Sequence, residues 1–221
     1  MTTILLARHG ESDWNAARRW QGHADRPLSP AGRAQAEALA ERLDEVDLDA
    51  VYASDLRRAH ETAEVVARRK GLTVTVVRDL REVDVGSWSG LTRREAEERF
   101  PDGFRRWLEG GRGWEGGETY DEMAERIARA VRAIAEERPR GRVLVVCHGG
   151  PIRAVHALAL GLDVHAYRRI RPVEPNARLS AVCIEGSRFT ELCPASEIDD
   201  LLARDQAERV RASRHPPTPA G

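Results

Sequence analysis

Short apolar runs alternate with stretches of helical periodicity along most of the chain. Three largely apolar runs, at residues 4–6, 48–54 and 142–147, are each followed by polar residues and then by a helical pattern. Apolar runs of this length are typical of strands that are buried on both faces of a parallel sheet. The pattern therefore predicts strands that alternate with helices.

The segments between these runs carry apolar residues at helical spacing. The Ser-Pro pair at 29–30 predicts a helix start, because serine caps a helix and proline suits its first turn. The Ser-Asp pair at 54–55 predicts a second capped start. Residues 92–100 predict a short helix whose arginine-rich faces lie in solvent, and residues 120–134 carry the clearest amphipathic pattern of the chain.

Further strands and two less regular segments complete the pattern. Residues 72–77 predict another strand, and residues 179–185 and 188–192 predict two short final strands. Residues 80–90 have the composition of a loop. The glycine-rich stretch at 109–118 is expected to be mobile, either as a lid over a site or as a plain connection.

Alternating strands and helices predict an α/β fold, namely a three-layer α/β/α sandwich with a mostly parallel central sheet. We expect one domain over residues 1–195, because no repeat or linker interrupts the pattern. Residues 196–221 have the composition of a polar helix followed by a disordered tail. A chain of 221 residues is long enough to bury a substantial core.

Composition removes several functions from consideration. The 35 basic and 36 acidic side chains leave a net charge of −1, so no basic field favours nucleic acid or an anionic membrane surface. We expect a cytoplasmic protein with no membrane contact, because no segment has the pattern of a membrane span or a secretion signal. Cys147, Cys183 and Cys193 have neither the number nor the spacing for a disulfide framework or a zinc site.

Two histidines, His9 and His148, each follow a predicted strand and precede a glycine. In a parallel sheet the carboxyl ends of the strands share one edge, and ligands bind beyond that edge. Arg8 belongs to the end of the first strand, and Arg58 lies in the first turn of the helix after the second strand. Arginine is common throughout this chain, so the position of these two residues is what makes them candidates for a site.

This combination suits the transfer of a phosphoryl group. Guanidinium groups and a second histidine match the charge on the three equatorial oxygens of such a group. The same cations disfavour protonation of His9, so that a ring nitrogen stays free to attack phosphorus. Glu82 could protonate the leaving oxygen and then activate a water molecule. This chemistry requires no metal ion and no cofactor.

Four motifs, in order along the chain, resemble those of the phosphoglycerate mutase-like histidine phosphatases. They are RHGESDWN (8–15), SDLRRAHETAEVV (54–66), LREVDVGSWSG (80–90) and CHGGPIR (147–153). The segment at 21–43 is similar to the phosphatase branch of that family. The resemblance extends over about residues 3–185 and implies the phosphoglycerate mutase-like fold.

The resemblance also implies a role for each motif residue. His9 would be the phosphorylated nucleophile and Glu82 the proton donor, while Arg8, Arg58 and His148 would form the phosphate pocket. Further contacts with the substrate are predicted close to these five residues, at Asn15, Gly10, Gly149, Gln21, Gly22 and His23.

Cys147 offers a competing mechanism. Together with Arg153 it fits the Cys-x-x-Gly-x-x-Arg loop of cysteine-dependent protein tyrosine phosphatases, which catalyse the same overall reaction. However, Val146 and Ala154 stand where that family usually has histidine and serine or threonine. Neighbouring residues of a strand face opposite ways, so Cys147 and His148 cannot readily share a pocket. A small buried side chain is the simpler interpretation of Cys147.

The family that the motifs resemble contains both mutases and phosphatases. Cofactor-dependent mutases typically carry a basic stretch after the motif glutamate and Gly-Asn after the second histidine. Here residues 83–90 contain Asp84 and no cation, and His148 is followed by Gly-Gly-Pro. We therefore predict a phosphatase of small phosphate monoesters. A phosphoglycerate mutase is the first alternative, and a phospho-ligand binder without catalysis is the second.

The predicted partner is a small phosphorylated metabolite, because the chain has no large insertion, and a homodimer is a further expectation. Three tryptophans in predicted loops, Trp20, Trp88 and Trp114, either wall the substrate site or hold the loops to the core. Asn176 precedes a late strand and is expected to reach the site.

Overall fold

The computed structural model describes residues 1–193 together with Ile198 and Leu202. Six strands lie in the described part: β1 (Thr2–Arg8), β2 (Ala50–Ala53), β3 (Val74–Val76), β4 (Arg142–Cys147), β5 (Leu179–Glu185) and β6 (Arg188–Cys193). The same residues form eight α-helices: α1 (Asp13–Ala16), α2 (Pro30–Arg42), α3 (Arg57–Lys70), α4 (Arg93–Arg99), α5 (Pro101–Leu108), α6 (Tyr120–Glu137), α7 (Gly149–Ala159) and α8 (Val164–Ile170).

The strands form one sheet in the order β3-β2-β4-β1-β5-β6. The four strands from β3 to β1 pair in parallel, and β5 and β6 add an antiparallel edge beside β1. The prediction of a mostly parallel sheet is confirmed. Two single 3₁₀ turns, Arg78–Leu80 and Gly86–Trp88, occupy the segment between β3 and α4 that has the composition of a loop.

Helices cover both faces of the sheet, as the continuous apolar runs predict. Along β1, Ile4 and Leu6 face the layer that contains α6 and α7, whereas Leu5 and Ala7 face the layer that contains α2 and α3. This alternation follows from the two-residue period of a strand. The predicted three-layer sandwich is thus confirmed, with a separate apolar core on each side of the sheet.

One of the two predicted helix starts is correct. Ser29 caps α2, where its Oγ accepts a hydrogen bond from an amide of the first turn. The predicted cap at Ser54-Asp55 is wrong, because α3 begins after Leu56, which makes no side-chain cap. The Asp55 carboxylate instead forms an ion pair with Arg81, at 2.7 and 2.5 Å, and is therefore engaged away from the helix.

The glycine-rich stretch at 109–118 is anchored at its centre, which corrects the expectation of a mobile segment. Trp114 is buried, its Nε1 donates to the carbonyl of Glu118 at 2.8 Å, and its ring packs against Trp88. Gly113 lies so close to the Trp88 ring that a larger residue would overlap it. Trp88 and Trp114 therefore hold these loops to the core.

The predicted C-terminal tail at 196–221 lies outside the described residues, apart from Ile198 and Leu202. Ile198 is fully buried in the core on the α2 and α3 side of the sheet, and Leu202 packs against the same core. Those two positions contribute apolar surface to the domain rather than to a free tail. Among the described residues, no helix is long and apolar enough to cross a membrane.

We expect Gly32→Ala to destabilise the protein, although alanine generally favours a helix over glycine by about 1 kcal/mol. A Cβ at this position would overlap the backbone carbonyl of Glu11, in the turn that follows β1. Overpacking of this kind costs about 1–3 kcal/mol. Urea unfolding should therefore give a lower unfolding free energy than that of the wild type.

The matched control is Glu37→Ala, on an exposed face of the same helix. It should change the unfolding free energy by less than about 0.5 kcal/mol. An unchanged or higher unfolding free energy for Gly32→Ala would contradict the close contact between α2 and the turn after β1.

Candidate active site

The two candidate histidines lie side by side at one edge of the sheet. The amide of His9 donates to the carbonyl of Cys147 at 3.0 Å and so extends the pairing of β1 with β4 by one residue. The ring centroids of His9 and His148 are 5.0 Å apart, with the rings inclined at 60°. Both side chains are buried, and His9 lines a cavity of about 300 Å³.

The ring of His9 is held in one tautomer. Its Nδ1 lies 2.6 Å from the carbonyl oxygen of Gly10, which can only accept a hydrogen bond, so Nδ1 carries the hydrogen. Burial, and then the positive charges of Arg58 and Arg8, hold the pKa of His9 well below its ordinary value. The neutral ring therefore keeps a free electron pair on Nε2.

Two arginines lie beside this ring with part of each guanidinium group unused. Arg8 Nη1 donates to the carbonyl of Glu174 at 2.7 Å, and Arg58 donates to the carbonyls of Ala24 and Gly22 at 2.8 and 2.9 Å. The Nε atoms of both arginines are buried and have no protein partner. Burial lowers the pKa of Arg58 to about 10, so the group is still a cation at neutral pH.

His148 adds further unpartnered polar atoms. Its ring is fully buried, yet neither Nδ1 nor Nε2 has a hydrogen-bond partner. Burial, and then Arg58 and His9, hold the pKa of His148 well below its ordinary value. Buried polar groups without partners are rare and costly in folded proteins. The histidine–arginine cluster (Arg8, His9, Arg58 and His148) is therefore built to receive an anion.

Glu82 brings a carboxyl group to the same cavity. Its Oε1 accepts hydrogen bonds from the amides of Val83 at 2.9 Å and Gly150 at 3.1 Å. Gly150 belongs to the first turn of α7, the helix that begins directly after His148. A Cβ on Gly150 would overlap the Glu82 carboxyl, so glycine is needed there for the close approach. The geometry brings a potential proton carrier to the edge where the two histidines lie.

Two amide side chains line the cavity on the other side of His9. The backbone amide of Ser12 donates to Asn15 Oδ1 at 3.1 Å and its Oγ donates to Gln21 Oε1 at 2.7 Å, so both amide oxygens are engaged. The amide nitrogens remain as hydrogen-bond donors for a ligand. Asn176 donates to the carbonyl of His9 at 2.9 Å and thus reaches the site through the backbone, as its position in the sequence predicts.

The other predicted contact residues divide into two groups. Gly22 and Gly149 line the cavity, as do Asn15 and Gln21. Gly10 does not: it packs against Gly32, and its amide donates to Thr62 Oγ1 at 3.0 Å. His23 also lies away from the cavity lining, with its Nε2 2.8 Å from the carbonyl oxygen of Glu82.

Several cavity residues have no signal in the sequence motifs. Arg93 is exposed, as expected for the arginines of 92–99, but it also lies over the rings of Phe104 and Trp107 at 5.4 and 5.5 Å and lines the cavity. Arg18, Arg19, Tyr120 and Val173 likewise come from segments outside the motifs. The remaining lining residues were within reach of the sequence, since Val83, Val85, Gly150 and Arg153 lie inside two of the motifs and Trp20 is one of the tryptophans expected to wall the site.

Cys147 faces away from this cavity. Its side chain is buried in the core on the α6 and α7 side of the sheet, and burial raises the pKa of its thiol to about 12. A buried thiol of this kind supplies no thiolate at neutral pH. The geometry therefore excludes the cysteine mechanism. In the described part of the chain, no three or more His, Cys, Asp or Glu side chains are grouped so as to hold a metal ion.

Residues 4–194 match the model of the histidine phosphatase superfamily, branch 1. The chain belongs to this superfamily. The resemblance carried by the four motifs is thus confirmed over most of the chain, and so is the prediction that the protein is a histidine phosphatase.

Similar proteins include both phosphatases and mutase-like proteins. A metal-independent phosphoserine phosphatase of Arabidopsis thaliana is 40% identical over 71% of this chain and 68% of its own length. The phosphoglycerate mutase-like protein 4 of the same plant is 40% identical over 71% and 70%. A mycobacterial glucosyl-3-phosphoglycerate phosphatase, solved with VO3, superposes with a TM-score of 0.78, is 32% identical, and covers 87% of this chain and 98% of that one.

We expect the His9 imidazole to stay neutral at pH 6, because burial and two nearby arginines lower its pKa. An NMR titration of ¹⁵N-labelled histidine would follow its protonation. Arg58→Met should raise the pKa of His9, because the substitution removes a positive charge that disfavours the imidazolium. A His9 pKa at or above about 6.5 in the wild type would contradict this description of the site.

Proposed function

We propose that this phosphatase hydrolyses small phosphate monoesters, without a metal ion, through a phosphohistidine intermediate on His9. The observation that carries the proposal is the single tautomer of His9, with Nδ1 donating to Gly10 at 2.6 Å and a free Nε2 beside unpartnered arginine donors. A neutral imidazole with a fixed ring and an anion-binding environment has what a nucleophile for phosphorus requires.

In the first step the phosphate of the substrate binds to the histidine–arginine cluster. The Nε2 electron pair of His9 attacks phosphorus, and the bond between phosphorus and the ester oxygen breaks. Glu82, in its acid form, gives its proton to the departing oxygen, so the product leaves as a neutral alcohol.

In the second step a water molecule replaces the alcohol. The Glu82 carboxylate removes a proton from this water, the water oxygen attacks phosphorus, and the bond to His9 Nε2 breaks. Inorganic phosphate leaves, and Glu82 regains the proton that it lost in the first step. Arg8, Arg58 and His148 face the charge on the equatorial oxygens in both steps, so that one cluster stabilises both transition states.

The residues after Glu82 favour hydrolysis over a mutase reaction. Val83 and Val85 line the cavity, so the stretch directly after Glu82 supplies no cation for the second phosphate of a bisphosphorylated intermediate. Asp84 uses its Oδ1 to accept a hydrogen bond from the Gly86 amide and adds negative charge nearby. A mutase would need to retain that intermediate, whereas a phosphatase only has to release an alcohol and admit water.

Three further arginines of the cavity favour a substrate with a second anionic group. Arg18, Arg93 and Arg153 line the cavity without belonging to the histidine–arginine cluster, and we call them the rim arginines. Arg18 has a left-handed backbone (φ 52°) and lies exposed at the cavity, while Arg153 Nε is buried without a partner. Arg19 differs, because it is neutralised by Glu95 at 2.9 Å. We propose that the rim arginines bind a carboxylate on the alcohol part of the substrate.

The names of two similar proteins support this substrate class. Phosphoserine and glucosyl-3-phosphoglycerate, on which those proteins act, are phosphate monoesters that carry a carboxylate. A homodimer and a cytoplasmic location also remain predictions for this chain. Sedimentation equilibrium would test the first and cell fractionation the second.

The decisive test of the proposed function is phosphate release in the presence of EDTA. Wild-type protein should hydrolyse phosphoserine and 3-phosphoglycerate, and His9→Ala should lose this activity because the nucleophile is gone. Conversion of 3-phosphoglycerate to 2-phosphoglycerate with catalytic 2,3-bisphosphoglycerate would be followed in parallel. Rapid conversion with little phosphate release would identify a mutase, and hydrolysis that survives in His9→Ala would contradict the phosphohistidine mechanism.

Phosphoserine and phosphoethanolamine test the carboxylate site, because they differ only by a carboxylate. We expect Arg153→Met to lower kcat/KM for phosphoserine about tenfold, the effect of losing one charge-assisted hydrogen bond. For phosphoethanolamine, the same substitution should change kcat/KM by less than about twofold. Arg129→Met, an exposed arginine of α6, is the control and should affect neither substrate. Equal losses of kcat/KM on both substrates would mean that Arg153 supports the fold rather than binds the carboxylate.

A further inference from the structure

The guanidinium group of Arg126, in α6, donates hydrogen bonds to three carbonyl oxygens of the segment that carries Glu82. Nη1 donates to the carbonyl oxygens of Asp79 at 2.6 Å and Arg81 at 3.1 Å, and Nη2 donates to the carbonyl oxygen of Glu82 at 3.3 Å. Nε and Nη2 also hold the two carboxylate oxygens of Glu118, at 2.8 and 2.7 Å. A guanidinium group has five N–H donors in one plane, and all five are engaged here.

Glu118 extends this contact to the other side of Glu82. Its Oε2 accepts a hydrogen bond from the amide of Asp84 at 3.1 Å, and its own amide donates to the Asp84 carbonyl at 3.0 Å. The Arg126 and Glu118 side chains are only 12% and 22% exposed, so water screens their ion pair less than a surface pair. One bidentate ion pair therefore holds the backbone on both sides of Glu82.

The segment around Glu82 has little regular structure of its own. It follows the 3₁₀ turn Arg78–Leu80 and belongs to no strand or α-helix. The ring of His23 adds a further contact, at 2.8 Å from the same Glu82 carbonyl oxygen that Arg126 binds. On the other side, the Glu82 carboxyl must reach the Gly150 amide at 3.1 Å. The main-chain contacts thus determine where the carboxyl lies relative to α7.

We propose that Arg126 is a positioning residue for proton transfer, which fixes the Glu82 carboxyl through the main chain of residues 79–84. Arg126 is absent from the cavity lining, so it contacts neither the phosphate nor the alcohol of a bound substrate. The inference rests on the proposed function, in which Glu82 protonates the leaving oxygen. Loss of Arg126 then weakens proton transfer and leaves phosphate binding in place, since small displacements of a catalytic group cost much of its effect.

The test compares two substrates whose leaving groups differ in basicity. Phenyl phosphate releases a phenol with a pKa of about 10 and needs a proton as it departs, whereas 2,4-dinitrophenyl phosphate releases a stable anion. Rapid-quench kinetics would measure phosphohistidine formation from each substrate in the wild type, Arg126→Met, Arg126→Lys and Glu82→Gln. Arg129→Met, at an exposed position of the same helix, is the matched control.

Arg126→Met should slow phosphohistidine formation from phenyl phosphate by about 10- to 100-fold, part of the effect that a general acid supplies. The rate with 2,4-dinitrophenyl phosphate should fall less than about threefold, because no proton is needed. In Glu82→Gln the loss of rate should depend on the leaving group even more strongly. Arg129→Met should show no such loss. Arg126→Lys keeps the charge but lacks the planar fork, so its rates should resemble those of Arg126→Met. If Arg126→Met does not fold, Arg126→Lys provides the same comparison of the two leaving groups.

Equal losses with both substrates, or no loss with either, would overturn the positioning role, because a loosened fold does not discriminate between leaving groups. Failure of the proposed function has a different signature. In that case His9→Ala would retain hydrolysis, or Glu82→Gln would show no dependence on the leaving group. The experiment therefore distinguishes failure of the positioning role from failure of the proposed function.

Discussion

The parallel register of β1 and β4 is the constraint on which the rest of the site depends. Arg8 lies opposite Cys147, so His9 and His148 leave the sheet at the same level and their ring centroids come within 5.0 Å. Because side chains alternate between faces, a slip of one residue would turn one ring away from the other. The apolar side chains of β1 and β4 fix the register from both cores, so the packing of the sheet positions the reactive groups.

The burial of the charged and polar groups beside His9 is electrostatically costly. Arg8, Arg58 and His148 are buried with unpartnered nitrogens, and each such group loses hydration without a compensating hydrogen bond. The main-chain carbonyls that Arg58 binds at Gly22 and Ala24 offset part of this cost and hold the guanidinium in place. In the proposed mechanism a bound phosphate would supply acceptors for these donors. The groups whose burial is costly are therefore those that would stabilise charge in the transition state.

The sequence was informative where a residue's role depends on a strand end or a glycine. His9, Arg58 and Glu82 were found because a strand end, a helix start and a motif loop place them at one edge of the sheet. The rim arginines were not found, because arginine is abundant in this chain and their approach depends on tertiary packing, as with Arg93 over Phe104 and Trp107. The structure does not bring Gly10 together with the other predicted contacts, since it packs against Gly32 and does not line the cavity. Helices α5 and α8 were not predicted, because each is short, at eight and seven residues.

In the proposed mechanism the nucleophile and the acid are supported in different ways, and this difference follows from their chemistry. His9 needs a fixed tautomer and a buried environment, which a sheet edge between two cores supplies with one carbonyl contact. Glu82 would exchange protons with an alcohol and then with water, and it lies on an irregular segment beside the cavity. Irregular backbone lacks the regular hydrogen bonds that hold a strand in a sheet. Contacts to its carbonyl oxygens therefore hold it in place. Because Arg126 contacts residues 79–82 through their carbonyl oxygens, the side chains around Glu82, such as Val83 and Val85, stay free to shape the cavity for the substrate.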